Sequence, residues 1–316
     1  MEIMNERRER GAADDEFKAD LPSEQLPFVS VIVPARNAAA HIEQLLQGLA
    51  AQVYPATRHE IVVVDNGSDD RTSEIVTSAI PRFHGRMSLR YETQVPGSYA
   101  ARNKGIKNAR GEVLAFTDAD CIPQEQWLAA GVHELIERKA DLVGGRVRFI
   151  FSSRTPNAAE IMDSRINMQV GRDIASRGVA KTANLFVWRH VVEHIGLFPE
   201  VMSGGDVMWT GQATRAGYRL AYCEEAEVEH PARSWISLFQ KQVRVGRGQI
   251  PVLRQKGMSW KQIVFDSVGL RGLSSKKGCA SLQQETKDWT TPAEVGARLW
   301  CQGATFLGRL VWLIAR

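Results

Sequence analysis

Two aspartates one residue apart, Asp118 and Asp120, close the run "EVLAFTDADCIP" (Glu112 to Pro123). Val113 to Phe116 are apolar, so the carboxylates arrive where a buried strand ends. Like charges this close raise each other's pKa. A hard cation relieves the repulsion, and Mg2+ is typically held by one or two carboxylates together with phosphate oxygens and water. The pair therefore points to a divalent metal, Mn2+ or Mg2+, bound together with a diphosphate. There a metal neutralises carboxylates and phosphates at once and stabilises charge on a departing nucleoside diphosphate. Taken alone, the same two residues also fit a solvated turn.

The surrounding elements decide whether the pair has company. Val29 to Val33 is a β-rich run, expected to close at Pro34 because proline cannot continue a central strand. Ile42, Leu45, Leu46 and Leu49 follow at helical spacing. Ile61 to Val64 is an apolar strand, Asp65 to Asp70 a polar turn and Thr72 to Ala79 a helix. "MSLRYET" reads as a weaker strand, and "SYAARNKGIKNAR" as a helix stopped near Gly111. This order predicts an α/β fold, a mostly parallel sheet with helices on both faces. Such sheets bind ligands beyond the carboxyl ends of their strands. Pro34, Asp65, Asp118 and Asp120 all fall at such ends. Further on, Trp127 to about Lys139 is a helix, "DLVGGRVRFI" a strand pair or edge, and 156–178 helical. A strand then precedes a helix over Arg189 to Ile195. A loop before "DVMWTGQATRAGYRL" leads into a helix stopped by Gly217, and a last strand ends at His230.

A chain of 316 residues with 44% hydrophobic and 24% charged residues is ordinary for a globular protein. Its net charge of +4 excludes little, but the distribution is uneven. From Pro231 to Lys277 ten Lys/Arg face one acid, Asp266, a net +9. Trp235, Phe239, Trp260 and Phe265 lie among these cations, and Trp300, Phe306 and Trp312 lie in a final helix interrupted by Arg298 and Arg309. That composition suits helices lying on an anionic membrane surface. It equally suits helices packed on the preceding domain with a solvated basic face. No nucleic-acid-binding motif accompanies the charge. Cys121, Cys223, Cys279 and Cys301 fit no metal-ligand spacing and read as reduced thiols. The polar N-terminus has no apolar core and reads as a tail rather than a secretory signal. No apolar run reaches the length of an ordinary transmembrane helix. The expected organisation is a polar tail over 1–26, a catalytic domain over 27–233 and a basic helical region over 234–316, in a cytoplasmic protein that binds the inner face of the plasma membrane peripherally.

Six stretches then carry a resemblance: "VSVIVPARN", "IVVVDNGSDDRT", "GSYAARNKGI", "GEVLAFTDADCIP", "TANLFVWRHVVEHIGLF" and "SGGDVMWTGQATRAGYRL". In this order, over about Phe28 to Arg233, the chain resembles a family 2 glycosyltransferase with the GT-A fold. The resemblance implies an inverting, metal-dependent transfer of one sugar from a nucleotide-sugar, a UDP-sugar, to a saccharide or lipid-linked acceptor in cell-surface glycan synthesis. Asp65 would accept the N3–H of a uracil, or else is only an acid at a helix start. Pro34, Ala35 and Asn37 would border the nucleotide. Arg102 would be a fixed cation beside it, and Asp118 would contact ribose or the metal shell. Asp120 would ligate the metal. His230 would approach metal or phosphate, or would be structural. The family places a general base in a Glu-Asp pair; here that pair reads Gly205-Asp206, leaving Asp206 as the base. Asn184, Trp188 and Gly205 would line the acceptor pocket, or serve as scaffold and turn. The Q-x-x-R-W signature of processive relatives is absent, which implies one sugar per encounter.

Two rivals remain at this point. A sugar-1-phosphate nucleotidyltransferase would need a glycine-rich phosphate loop after the first strand, and "PARNAAAHIEQ" has none. A degenerate domain that binds nucleotide or lipid as a scaffold is favoured by Gly205 and by Met208, where many relatives carry another acid.

Overall fold

The structure, a computed structural model, describes residues 23–255 and 292–314 together with Ser259 and Gln262. Most of the polar tail, Cys279, Trp260, Phe265 and the cations Lys256, Lys261, Arg271, Lys276 and Lys277 lie outside the described residues.

Four strands, all but the third carrying β-branched residues, build the first half. These are β1 (Val29–Ala35), β2 (His59–Asp65), β3 (Met87–Tyr91) and β4 (Val113–Thr117). Every residue of β1, β2 and β4 is buried, as expected of strands covered on both faces. β5 (Ile122–Pro123), β6 (Leu142–Ile150), β7 (Asn184–Trp188) and β8 (Leu220–Pro231) complete one sheet in the order β3-β2-β1-β4-β7-β6-β8-β5. Of its seven pairings four are parallel; β7 runs antiparallel to both neighbours, and β5 antiparallel to β8.

Helices cover the sheet: α1 (Ile42–Ala50), α2 (Thr72–Ala79), α3 (Ser98–Asn108), α4 (Trp127–Glu137), α5 (Ala158–Ile166), α6 (Val170–Arg177), α7 (Arg189–Ile195) and α8 (Gly205–Arg215). Ile42, Leu45, Leu46 and Leu49 of α1 are all buried, so its spacing does what the sequence implies. One apolar cluster packs α1 and α4 against one side of the sheet, around Val31, Val63, Trp127 and Phe186. A second joins Ile32, Phe116, Leu185, Phe198 and Trp209.

Several expectations need correction. Pro34 lies inside β1, paired in register with Val64. Pairing of β1 with β4 ends at Ile32. Ala35 turns its carbonyl to Asn66, on the β2 side, so the alternating Pro34 faces the side where no ladder remains, and its missing N–H costs nothing. "DLVGGRVRFI" is neither a pair nor an edge but one strand between β7 and β8. The helical stretch over 156–178 divides at Met168, whose φ is 54°. The packed chain starts before residue 27: Leu26 is buried, and its carbonyl accepts from the Arg58 side chain.

Two long helices follow, α9 (Trp235–Gln255) and α10 (Pro292–Ile314). They pack on each other and on α5 through Ala159, Met162, Leu238, Ala297 and Cys301. Trp300 stacks against Trp235 and Phe239, with ring centroids 4.9 and 5.3 Å apart. These aromatics thus hold helix to helix. Lys241, counted above on a basic face, turns inward to Asp163 at 3.5 Å.

Candidate active site

The donor side forms where β1, β2 and β4 end. The loops after β1 and β2 are laced together. Ser68 Oγ accepts the Asn37 N–H (3.0 Å), Thr72 Oγ1 accepts that of Ala38 (2.8 Å) and Asp70 that of Ala39 (3.0 Å). Asn37, itself at φ 51°, returns the bond by accepting the Asp69 N–H. Pro34 and Ala35 lie buried beneath this lacing, and Asn37 is exposed on it. Asp65 is 2% exposed. Its carboxylate accepts from the Ser68 N–H (2.8 Å) and the Ser73 hydroxyl (2.6 Å). Each oxygen keeps a further lone pair. Asn66, which sequence reasoning passed over, donates to the carbonyls of Glu92 and Val95 and accepts from Gly97 N–H. It thereby fixes the loop that starts α3.

Arg102 leaves α3 and forms an ion pair with Asp118. Its guanidinium also lies 5.3 Å from the ring centre of Tyr99. Arg102 Nε and Thr117 Oγ1 are buried without a hydrogen-bond partner. Two orphaned polar atoms beside the Asp-x-Asp turn are unusual in a folded core and fit a site that receives polar ligand atoms.

His230, at the end of β8, is buried and points Nε2 at Asp120 Oδ2, 3.4 Å away. Its Nδ1 is 2.7 Å from the Pro231 carbonyl, so that nitrogen carries the proton. Burial holds the ring below the usual histidine range, so Nε2 is an acceptor, and Arg233 Nη2 donates to it at 3.2 Å. Burial also opposes charge on Asp120, but His230, once protonated at low pH, and then Arg233 outweigh it and hold the carboxyl below the usual range. Arg233 reaches Asp120 at 3.7 Å and buried Asp163 at 3.3 Å. A carboxylate oxygen and an imidazole lone pair facing each other, with the far nitrogen bonded to a carbonyl, form a donor set that suits a divalent cation. Among the described residues no three His, Cys, Asp or Glu side chains converge on one point. Asp120 and His230 would hold the metal, with the remaining positions left to phosphate oxygens and water.

The Asp206 side is built by α8. Gly204, at φ 80°, turns the chain into the helix, and Asp206 sits in its first turn. Asp206 Oδ1 accepts from the Tyr99 hydroxyl and from the Val207 N–H, both at 2.9 Å. Oδ2 has one long contact, from Thr182 N–H at 3.4 Å, and so keeps accepting capacity. Asn103 of α3 holds the approach to α8 by exchanging hydrogen bonds with the Phe198 backbone. Tyr99 and Asn103 stand in one of the stretches that carry the resemblance, and Arg233 closes the span that these stretches cover. Their chemistry was legible, but their partners, 95 and 107 positions away for Asn103 and Tyr99, were not.

Two expected acceptor residues do not join the site. Asn184 is fully buried; it accepts from Trp127 Nε1 (2.9 Å) and donates to the carbonyls of Arg146 and Ala226 (2.8 and 2.7 Å). Its amide is spent on joining β7, β6 and β8. Because β7 is antiparallel to β4, Trp188 pairs with Val113, the opposite end of β4 from Asp118. Its indole donates to the Ala140 carbonyl. Both are scaffold.

Residues 30–185 match the family described as Glycosyl transferase family 2. Glycosyltransferase AglE of Haloferax volcanii is 46% identical over 242 residues, which cover 75% of this chain and 78% of AglE. The probable glycosyltransferase YdaM of Bacillus subtilis is 27% identical, over 79% of this chain and 64% of YdaM. The chain belongs to glycosyl transferase family 2. In fold it is similar to the mannosyltransferase PcManGT from Pyrobaculum calidifontis, solved with GDP-Man and Mn2+, at a TM-score of 0.65, 19% identity and 99% and 95% coverage of the two chains. It is also similar to residues 1–349 of S. aureus TarS, solved with UDP-GlcNAc, at a TM-score of 0.53, 19% identity and 92% coverage of each chain. The fold is therefore GT-A, and the protein is a glycosyltransferase.

Proposed function

We propose that this glycosyltransferase moves a single sugar from a UDP-sugar to a saccharide or lipid-linked acceptor in cell-surface glycan synthesis, with inversion and with a divalent metal. The observation that carries the reading is the disposition of carboxylates. Asp118 is neutralised by Arg102, and Asp120 faces a lone pair of His230. Asp206 stands apart on α8 with one oxygen committed and the other open. A metal bound at Asp120 and His230 would offset the charge of the diphosphate. Asp206 Oδ2 takes the proton of the acceptor hydroxyl. The acceptor oxygen bonds to the anomeric carbon as the bond to the diphosphate oxygen breaks, and the electron pair leaves with the diphosphate. One displacement of this kind inverts the centre without a covalent enzyme intermediate.

A membrane-borne acceptor is supported by the outer face of the helical pair. Leu299, Leu307, Leu310 and Val311 are exposed along α10, and Ile236 on α9 is 73% exposed. Among the described residues no helix is long and apolar enough to cross a membrane, so the reading is one of a helix face resting on the bilayer surface at its cytoplasmic side.

Calorimetric titration of UDP, with GDP as control, with and without Mn2+, tests the donor site. UDP binding that needs both Mn2+ and the Asp120 carboxylate is expected. Metal-dependent binding of GDP alone would overturn the uracil role of Asp65. No metal-dependent nucleotide binding would overturn the donor site and favour the scaffold alternative.

A further inference from the structure

Gly205 stands directly before Asp206, and the structure shows why a side chain does not fit there. A Cβ at Gly205 would stand 2.9 Å from the Tyr99 ring and 3.0 Å from the Pro199 carbonyl oxygen. The space a side chain would need is already filled by Tyr99, which is 7% exposed. That ring is held from several sides, by Arg102 above it and by Phe198 at 6.2 Å between centroids. Its hydroxyl ends on Asp206 Oδ1. A buried tyrosine hydroxyl ordinarily finds such a partner, and here the partner is the base itself. Burial, and secondarily the Asp206 carboxylate, push the Tyr99 phenol above its ordinary range, so it stays a donor.

We propose that Tyr99 is the positioning residue for the base and Gly205 its steric counterpart, whose missing side chain leaves room for the Tyr99 ring. This rests on the Asp206 reading. Tyr99 takes no proton. It binds Oδ1 and fixes the plane of the carboxylate, so that Oδ2 is the oxygen presented to the acceptor. The same ring supports Arg102, so one side chain touches the cation paired with Asp118 and the base.

The test uses the full chain with Mn2+ and either UDP-GlcNAc or GDP-mannose, following release of the nucleoside diphosphate. Tyr99→Phe keeps the ring and removes the hydroxyl. The expected result is a fall in kcat of about tenfold with donor KM within about twofold of the parent and an unchanged thermal midpoint. A merely structural tyrosine would lower the midpoint and leave kcat alone, which overturns the proposal. If Asp206→Asn is inactive while Tyr99→Phe is fully active, the positioning role falls and the base stands. If both are fully active, the base reading has fallen with it. A second measurement needs no turnover. Gly205→Ala should lower the thermal midpoint more in the parent than in a Tyr99→Ala background, where only the contact with the Pro199 carbonyl remains. Equal losses in the two backgrounds would also overturn the proposal.

Discussion

The two halves of the site are held together in different ways. On the donor side, the loops after β1 and β2 bind each other through hydroxyls, carboxylates and an asparagine set 31 to 34 positions apart. These are contacts between neighbouring parallel strands, and the strand–helix–strand order alone brings them together. The base side is different. Asp206 depends on Tyr99, 107 positions earlier, and its approach depends on Asn103, 95 positions earlier. The loop before it also abuts α9, where a Cβ on Gly248 would lie 2.8 Å from that of Ser203. One helix, α3, serves both sides: Arg102 reaches Asp118, while Tyr99 and Asn103 reach the base side. The loops after β1 and β2 are thus a near-local product of the sheet, whereas the Asp120–His230 pair and the base half, hung on α3, are tertiary products.

The largest expected effect separates the halves outright. Asp206→Asn should lower kcat by about 10²–10⁴-fold, the range for loss of a general base, while Mn2+-dependent UDP binding stays at parental affinity. Steady-state kinetics beside calorimetry check this, and a parallel loss of nucleotide binding would show that the halves are not separable. Next in size is Asn184→Ala, which strands an indole N–H and two carbonyls in the core. A stability loss of roughly 2–4 kcal/mol is expected, measured by urea unfolding, with kcat per folded molecule unchanged. A specific rise in acceptor KM, or a fall in kcat, would restore Asn184 to the acceptor site.

How far each half could be read from sequence follows the same division. The strands and the aspartates at their ends were legible because a buried parallel strand is a short apolar run and a site carboxylate must follow it. Thr72–Ala79 and Arg189–Ile195 fall on the expected residues. Pro34 was misjudged because the rule against proline in strands ignores which side of the strand is paired. For Asn184 and Trp188 the residues alone left acceptor lining and scaffold as alternatives, and only the antiparallel run of β7, which carries Trp188 to the far end of β4, separates them. Asn66 was invisible for another reason: nothing in "DNGSDD" says that the asparagine reaches across to residues 92–97. Its predicted effect comes third. Asn66→Ala removes three hydrogen bonds that tie that loop to β2, and should cost about 1–3 kcal/mol of stability and raise the KM for the donor severalfold with kcat retained. An unchanged KM would mean that the loop before α3 does not shape the donor pocket.

The smallest effect tests whether the donor-side sheet carries its own acid sensitivity, independent of the base. His59 opens β2, 3% exposed, with Nδ1 bonded to the Pro55 carbonyl at 3.0 Å and Nε2 facing Arg86 at 2.6 Å. Burial, with Arg86 beside it, pulls its pKa down to about 4 from an unfolded value of 6.5. The folded protein therefore binds fewer protons than the unfolded chain between those two values. Stability is complete above about pH 6.5 and falls as the pH drops toward 4. At roughly 1.4 kcal/mol per unit, lowering the pH from 6.5 to 5 should remove about 1–2 kcal/mol. Urea midpoints across this range check the slope. His59→Gln keeps a donor and an acceptor but cannot titrate, so it should flatten the limb while leaving kcat at neutral pH untouched. A limb that stays equally steep in His59→Gln would move the acid sensitivity to another group.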